Sequence, residues 1–120
     1  MSDKNLNPII HFNNLRSLGL SHNRIKDLTP LKKLGKHRMS SLFLSYNNLK
    51  NLKGIENLNI HRLNVDHNPL TFEGIKPINK LNLYSLKIDR NVFDGVVFAE
   101  YPDYIKNINK VEFVEEDEND

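Results

Sequence analysis

At 120 residues the chain has room for one domain built on one core. It contains no cysteine, which excludes disulfides and thiolate metal sites but leaves the compartment open. No stretch approaches the ~18 apolar residues of a membrane span, and the first residues lack the apolar block of a signal peptide. The expectation is therefore a soluble chain of the cytoplasm or nucleus. The net charge of +2 hides a division: residues 1–60 hold ten Lys/Arg against three acids, or +7, and residues 61–120 hold seven against twelve, or −5. The molecule is expected to be electrically polar.

In chain order, Leu6, Ile9, Phe12 and Leu15 recur at steps of three, so residues 1–14 are expected to be a partial return segment without a dedicated cap. A pattern LxxLxLxxNxL then appears four times. Its marks fall on Leu15, Leu18, Leu20, Asn23 and Ile25; on Met39, Leu42, Leu44, Asn47 and Leu49; on Ile60, Leu63, Val65, Asn68 and Leu70; and on Leu83, Leu86, Ile88, Asn91 and Phe93. The first marks, 15, 39, 60 and 83, are 24, 21 and 23 residues apart, within a repeat period of about 20 to 29. A degenerate fifth copy at Ile108, Val111 and Phe113 has Glu116 in place of asparagine and is expected to end the array. The expected layout is four repeats over 15–107, a terminal degenerate strand over 108–114 and a disordered, solvated acidic tail over 115–120.

Each copy implies the same local structure. The LxL alternation places Leu18 and Leu20, Leu42 and Leu44, Leu63 and Val65, and Leu86 and Ile88 on one face of a strand. After each asparagine the spacing changes to three, as in Ile25, Leu28, Leu31 and Leu34, which suits a short 3₁₀ or helical return. Identical phase in every copy makes the strands parallel, because each return brings the chain back to the same side. The turn leaves backbone groups without ladder partners, and an amide both donates and accepts. Asn23, Asn47, Asn68 and Asn91 are thus expected to form a structural ladder. "TFEGIKPINK" after Pro69 and "DGVVFAEYPDYIKNI" after repeat four are expected to be irregular, with residues 102–107 capping the open end.

With these copies in place, the chain resembles the leucine-rich repeats, and "LGLSHNRIKDLTPLKKL" with its Thr29, Pro30, Leu31 run is most similar to the short class found in protein phosphatase 1 regulatory subunits and bacterial internalins. The resemblance covers roughly residues 9–113. It implies an α/β solenoid, a right-handed superhelix with a parallel sheet of about five strands on its concave face, acting as a non-enzymatic scaffold that binds another protein. Resemblance also suggests a phosphatase regulatory subunit, or a nucleic-acid-associated adaptor similar to spliceosomal or histone-chaperone-like repeat proteins.

Aligned copies give the columns expected to face outward from the strands: Ser17, Ser41, Arg62 and Ser85; Gly19, Phe43, Asn64 and Lys87; Ser21, Ser45, Asp66 and Asp89; and His22, Tyr46, His67 and Arg90. Partner contacts are expected at Ser17, Gly19, Ser41, Phe43, Tyr46, Arg62, Asn64, Asp66, His67, Lys87, Asp89 and Arg90. Phe43 stands out because strand parity turns an aromatic ring outward, as at an interface anchor.

Other chemistries fit poorly. His22 and His67 stand two rungs apart, roughly 10 Å, too far for one ion with ligands about 2 Å away. Asp66 and Asp89 on adjacent rungs match the ~5 Å separation of a retaining glycosidase pair, but acid and base roles need contrasting surroundings and both are expected on an open face. GxSxG, HExxH, GxxxxGK[ST] and GxGxxG are all absent. The expectation is no enzyme, no metal and no cofactor. The lysines Lys26, Lys32, Lys33, Lys36, Lys50 and Lys53 with Arg38 form a basic return side that carries the nucleic-acid alternative, though without interleaved aromatic rings. A monomer binding another protein, away from membranes, is the leading expectation.

Overall fold

A computed structural model of the chain describes residues 16–34 and 39–115. The partial return over 1–14, Leu15, Lys36, His37, Arg38 and the tail from Glu116 onward lie outside the described residues. Five strands, β1 Ser17–Gly19, β2 Ser41–Phe43, β3 Arg62–Asn64, β4 Ser85–Asp89 and β5 Lys110–Val114, form one sheet in chain order. Every neighbouring pair is parallel. The expected five-stranded parallel sheet of a leucine-rich-repeat-like α/β fold is present.

Register follows the sequence columns. Leu18, Leu42, Leu63, Leu86 and Val111 stand opposite one another across the sheet. The first four are buried, together with Leu20, Leu44, Val65 and Ile88 two residues on. Period-2 alternation thus turns one face of every strand into the core. Each fully buried aliphatic side chain stabilises the fold by about 1.5–3 kcal/mol before entropy is counted.

The return segments close the other side of that core. A 3₁₀ helix over Thr29–Leu34 buries Leu31 and Leu34, and one over Glu73–Lys80 buries Ile75 and Ile78 despite Pro77 inside it. The second repeat returns through turns alone, yet buries Leu49, Leu52 and Ile55. Gly54 makes one such turn with φ of 116°, where a side chain would be strained and would also strike the Leu28 carbonyl. After β4 the chain forms 3₁₀ turns over Arg90–Phe93 and Phe98–Glu100 and a short helix α1, Asp103–Lys106, before entering β5.

This last return is held by rings rather than amides. Phe93 stacks on Tyr101 with centroids 4.5 Å apart, and meets Phe72 edge-on at 6.0 Å and Phe113 edge-on at 5.7 Å. Edge-to-face and offset arrangements of this kind suit the ring quadrupole. Arg90 lies over the Phe113 ring at 4.9 Å and ion-pairs with Glu115, so it fastens the end of β5 to the turn after β4.

Candidate functional site

The sheet face opposite the core is composed of two rows. Strand register sets Ser17, Ser41, Arg62, Ser85 and Lys110 in one row, and Gly19, Phe43, Asn64, Lys87 and Glu112 in the next. Because the intervening leucines point inward, these side chains stand outward at the strand spacing of about 4.8 Å. Phe43, Arg62, Asn64 and Lys87 line one shallow depression of about 360 Å³ together with Tyr84, Ser85, Lys110 and Glu112. A second depression shares Arg62, Tyr84 and Ser85 and extends the hollow to Ser40, Ser41 and His61.

Charge within the hollow is uneven. Lys87 pairs with Glu112 at 3.8 Å, while Arg62 and Lys110 are exposed and make no ion pair among the described residues. Tyr84 is 59% exposed, one of the few large rings left in solvent among the described residues. Lys110, Glu112 and Tyr84 were missing from the sequence columns. The first two were legible there, because β5 is the next rung and Lys110 and Glu112 flank Val111 as Arg62 and Asn64 flank Leu63.

Of the remaining predicted contacts, Ser17 and Gly19 stand on β1 outside this hollow, while Tyr46, Asp66, His67, Asp89 and Arg90 lie at the strand ends and the turns that follow them. His22, Tyr46 and His67 all adopt positive φ, 61°, 60° and 58°, a conformation uncommon outside glycine and costly for a bulky ring. Two compensations hold them. Their rings stack in a column, His22 on Tyr46 at 4.4 Å and Tyr46 on His67 at 4.1 Å, nearly parallel. Their N–H groups continue the ladder: His22 donates to the Ser45 carbonyl and Tyr46 to the Asp66 carbonyl. Tyr46, at 46% exposure, still offers one edge of the column to solvent.

At the third turn the ladder changes partner. His67 N–H donates to both carboxylate oxygens of Asp89, at 3.0 and 2.9 Å, in place of a backbone carbonyl. Asp66, expected on the open face, is only 2% exposed. Its carboxylate accepts from Ser45 Oγ at 2.5 Å and lies 2.7 Å from His67 Nδ1. The contact role for Asp66 is therefore corrected: burying a carboxylate is tolerated only because its oxygens are satisfied, and those same bonds withhold it from a partner. Unlike the expected open pair of acids, Asp66 and Asp89 both serve the turn.

The asparagines divide similarly. Asn47 Nδ2 donates to the carbonyls of Leu20 and Leu44, and its Oδ1 accepts from Ile25 N–H. Asn68 repeats this one rung on, donating to Leu44 and Val65 and accepting from the N–H groups of Asn47 and Leu49. Asn23 Nδ2 donates to the carbonyls of Leu20 and Ser21 in its own turn. Asn91 is corrected: it is exposed, within the 3₁₀ turn Arg90–Phe93, because the chain winds up immediately after Asp89 instead of extending through an asparagine-capped turn. Among the described residues no buried side-chain N or O lacks a hydrogen-bond partner.

Among the described residues no group of three or more His, Asp and Glu is placed to hold a metal ion, and no helix is long and apolar enough to cross a membrane. The family model for the Leucine Rich Repeat matches residues 14–34, the first of the four copies. Leucine-rich repeats as a class mediate protein–protein interaction and are typically non-catalytic. No curated protein and no solved structure matches the chain.

Proposed function

We propose that the chain is a small leucine-rich-repeat solenoid of the short class whose concave, strand-lined face is a non-enzymatic protein-binding surface. The observation that carries this reading is the outward row of the sheet, where Phe43 and Lys87 share a hollow with Arg62 and Tyr84. An aromatic ring, a guanidinium and a tyrosine together form the composition that anchors interfaces. β2, β3 and β4 are held by parallel pairing on both sides, so the surface is already ordered before a partner arrives and little conformational entropy is lost on association. The column of His22, Tyr46 and His67 forms one rim of that surface and Arg90 lies beyond it.

Replacing Phe43 by alanine tests the assignment. Quantitative capture of partners on the immobilised full chain, followed by titration of the enriched partner, is expected to show Phe43→Ala losing more than about 2 kcal/mol of binding. A partner that binds both forms equally well would remove the face from the reading.

A further inference from the structure

We infer that the hollow floored by Ser41 and Ser85 receives an extended Asp/Glu-rich segment of the partner protein, with its carboxylates seated on Arg62 and Lys110. The inference rests on the protein-binding reading of the sheet face and names the chemistry of what binds there. Arg62 on β3 and Lys110 on β5 stand in one row with Ser85 between them on β4. Two strand spacings separate their backbones by about 10 Å. The short serine leaves a trough between two long cationic side chains, both exposed and without an ion pair among the described residues. Elsewhere on the surface Lys76 is held by Glu73 and Arg90 by Glu115, so charge pairing among the described residues has passed these two by.

Shape and charge then limit the occupant. The hollow runs across the strands from Ser40 and Ser41 to Lys110, three strand spacings or about 14 Å, a length covered by about four extended residues. Acidic residues two apart in such a segment fall on one side about 7 Å from each other, within reach of an arginine and a lysine that lean inward. Phe43 and Tyr84 supply apolar walls for the methylene groups and backbone of the segment. Arginine receives a carboxylate through two parallel N–H bonds, which fixes orientation as well as affinity. Glu112, whose side chain is 63% exposed, stands at the same rim. Against Arg62, Lys87 and Lys110 it leaves a local charge of +2 interrupted by an acid, which suits separate carboxylates better than the unbroken phosphate run of a nucleic acid.

Fluorescence anisotropy with the full chain and a labelled Ser-Glu alternating peptide of about eight residues, long enough to cross the hollow, tests the site. Saturable binding is expected, weakened about ten-fold by Arg62→Gln and again by Lys110→Gln. Glu112→Gln should tighten it, and the paired change Lys32→Gln with Lys33→Gln on the 3₁₀ return should leave it unchanged. All of these positions are exposed, and thermal melts of the variants confirm that the fold is retained. No binding, binding indifferent to Arg62 and Lys110, loss through Lys32 and Lys33 instead, or stronger capture of an oligothymidylate than of the peptide each overturns the inference. If a partner is captured in a Phe43-dependent way and the acidic peptide does not compete with it, the acidic occupant is wrong while the binding face stands.

Discussion

The second and third repeats and the C-terminal end solve one problem by different means. In the middle of the sheet, Asn47 and Asn68 tie each turn to the preceding rung through hydrogen bonds between their side-chain amides and main-chain atoms. At the end the corresponding Asn91 is exposed, and the turn is closed by Asp89 capping His67 and by Phe93 packed among Phe72, Tyr101 and Phe113. The difference teaches that a ladder needs a similar turn on both sides. Where the next turn winds into 3₁₀ structure, its carbonyls no longer face the preceding turn, so a carboxylate replaces one of them and aromatic packing replaces the rest.

The contrast is broken most severely at Phe93. Phe93→Ala removes a buried ring that links the turn after β4 to β5, and is expected to cost about 3–5 kcal/mol by urea unfolding. A smaller loss would mean the end is held by something other than its rings. Next, Asn47→Leu leaves the Ile25 N–H without its acceptor and takes one of two amide donors from each of the Leu20 and Leu44 carbonyls, and should destabilise by about 1–3 kcal/mol. Asn91→Leu, at the same mark of the pattern, should change stability by no more than about 0.5 kcal/mol. Equal effects at the two positions in thermal melts would erase the distinction between the regions.

The mildest effect concerns pH. Tyr104, on α1, has its phenol raised above the ordinary 10.0, chiefly by partial burial, with Lys76 opposing the shift and Glu73 adding to it. In the unfolded chain the phenol ionises near its ordinary value, while the folded chain keeps the proton longer. The contribution is therefore complete below pH 10 and lost as pH rises through the folded value. Tyr104→Phe should flatten that part of the alkaline fall in melting temperature, a change visible in melts taken across that range.

How much of this was legible in the sequence depends on the distance over which each feature is decided. Strand phase was legible, because the LxL alternation is local and Leu42 and Leu63 had one face to bury. Asp66 reads as solvated in the sequence because it is an acid beside charged neighbours; what buries it is Ser45 on the previous rung together with the adjoining His67 ring, a pairing across 21 residues that no local spacing displays. Asn91 carries the mark of the ladder, but the irregular segment that follows determines its turn. The histidines and Tyr46 shared a column that aligned copies revealed, but stacking at 4.1 and 4.4 Å followed from positive φ at all three positions, which only the folded backbone shows.

The binding surface depends on side-chain parity along each rung, and the lack of native cysteine makes that directly measurable. Single cysteines at Phe43, Arg62 and Lys87 can be compared with cysteines at Leu42, Leu63 and Leu86 for their rate of reaction with a thiol reagent under native conditions. The account predicts prompt labelling at the first three and protection at the second three until the chain unfolds. Protection of Phe43→Cys alongside ready labelling of Leu42→Cys would contradict it.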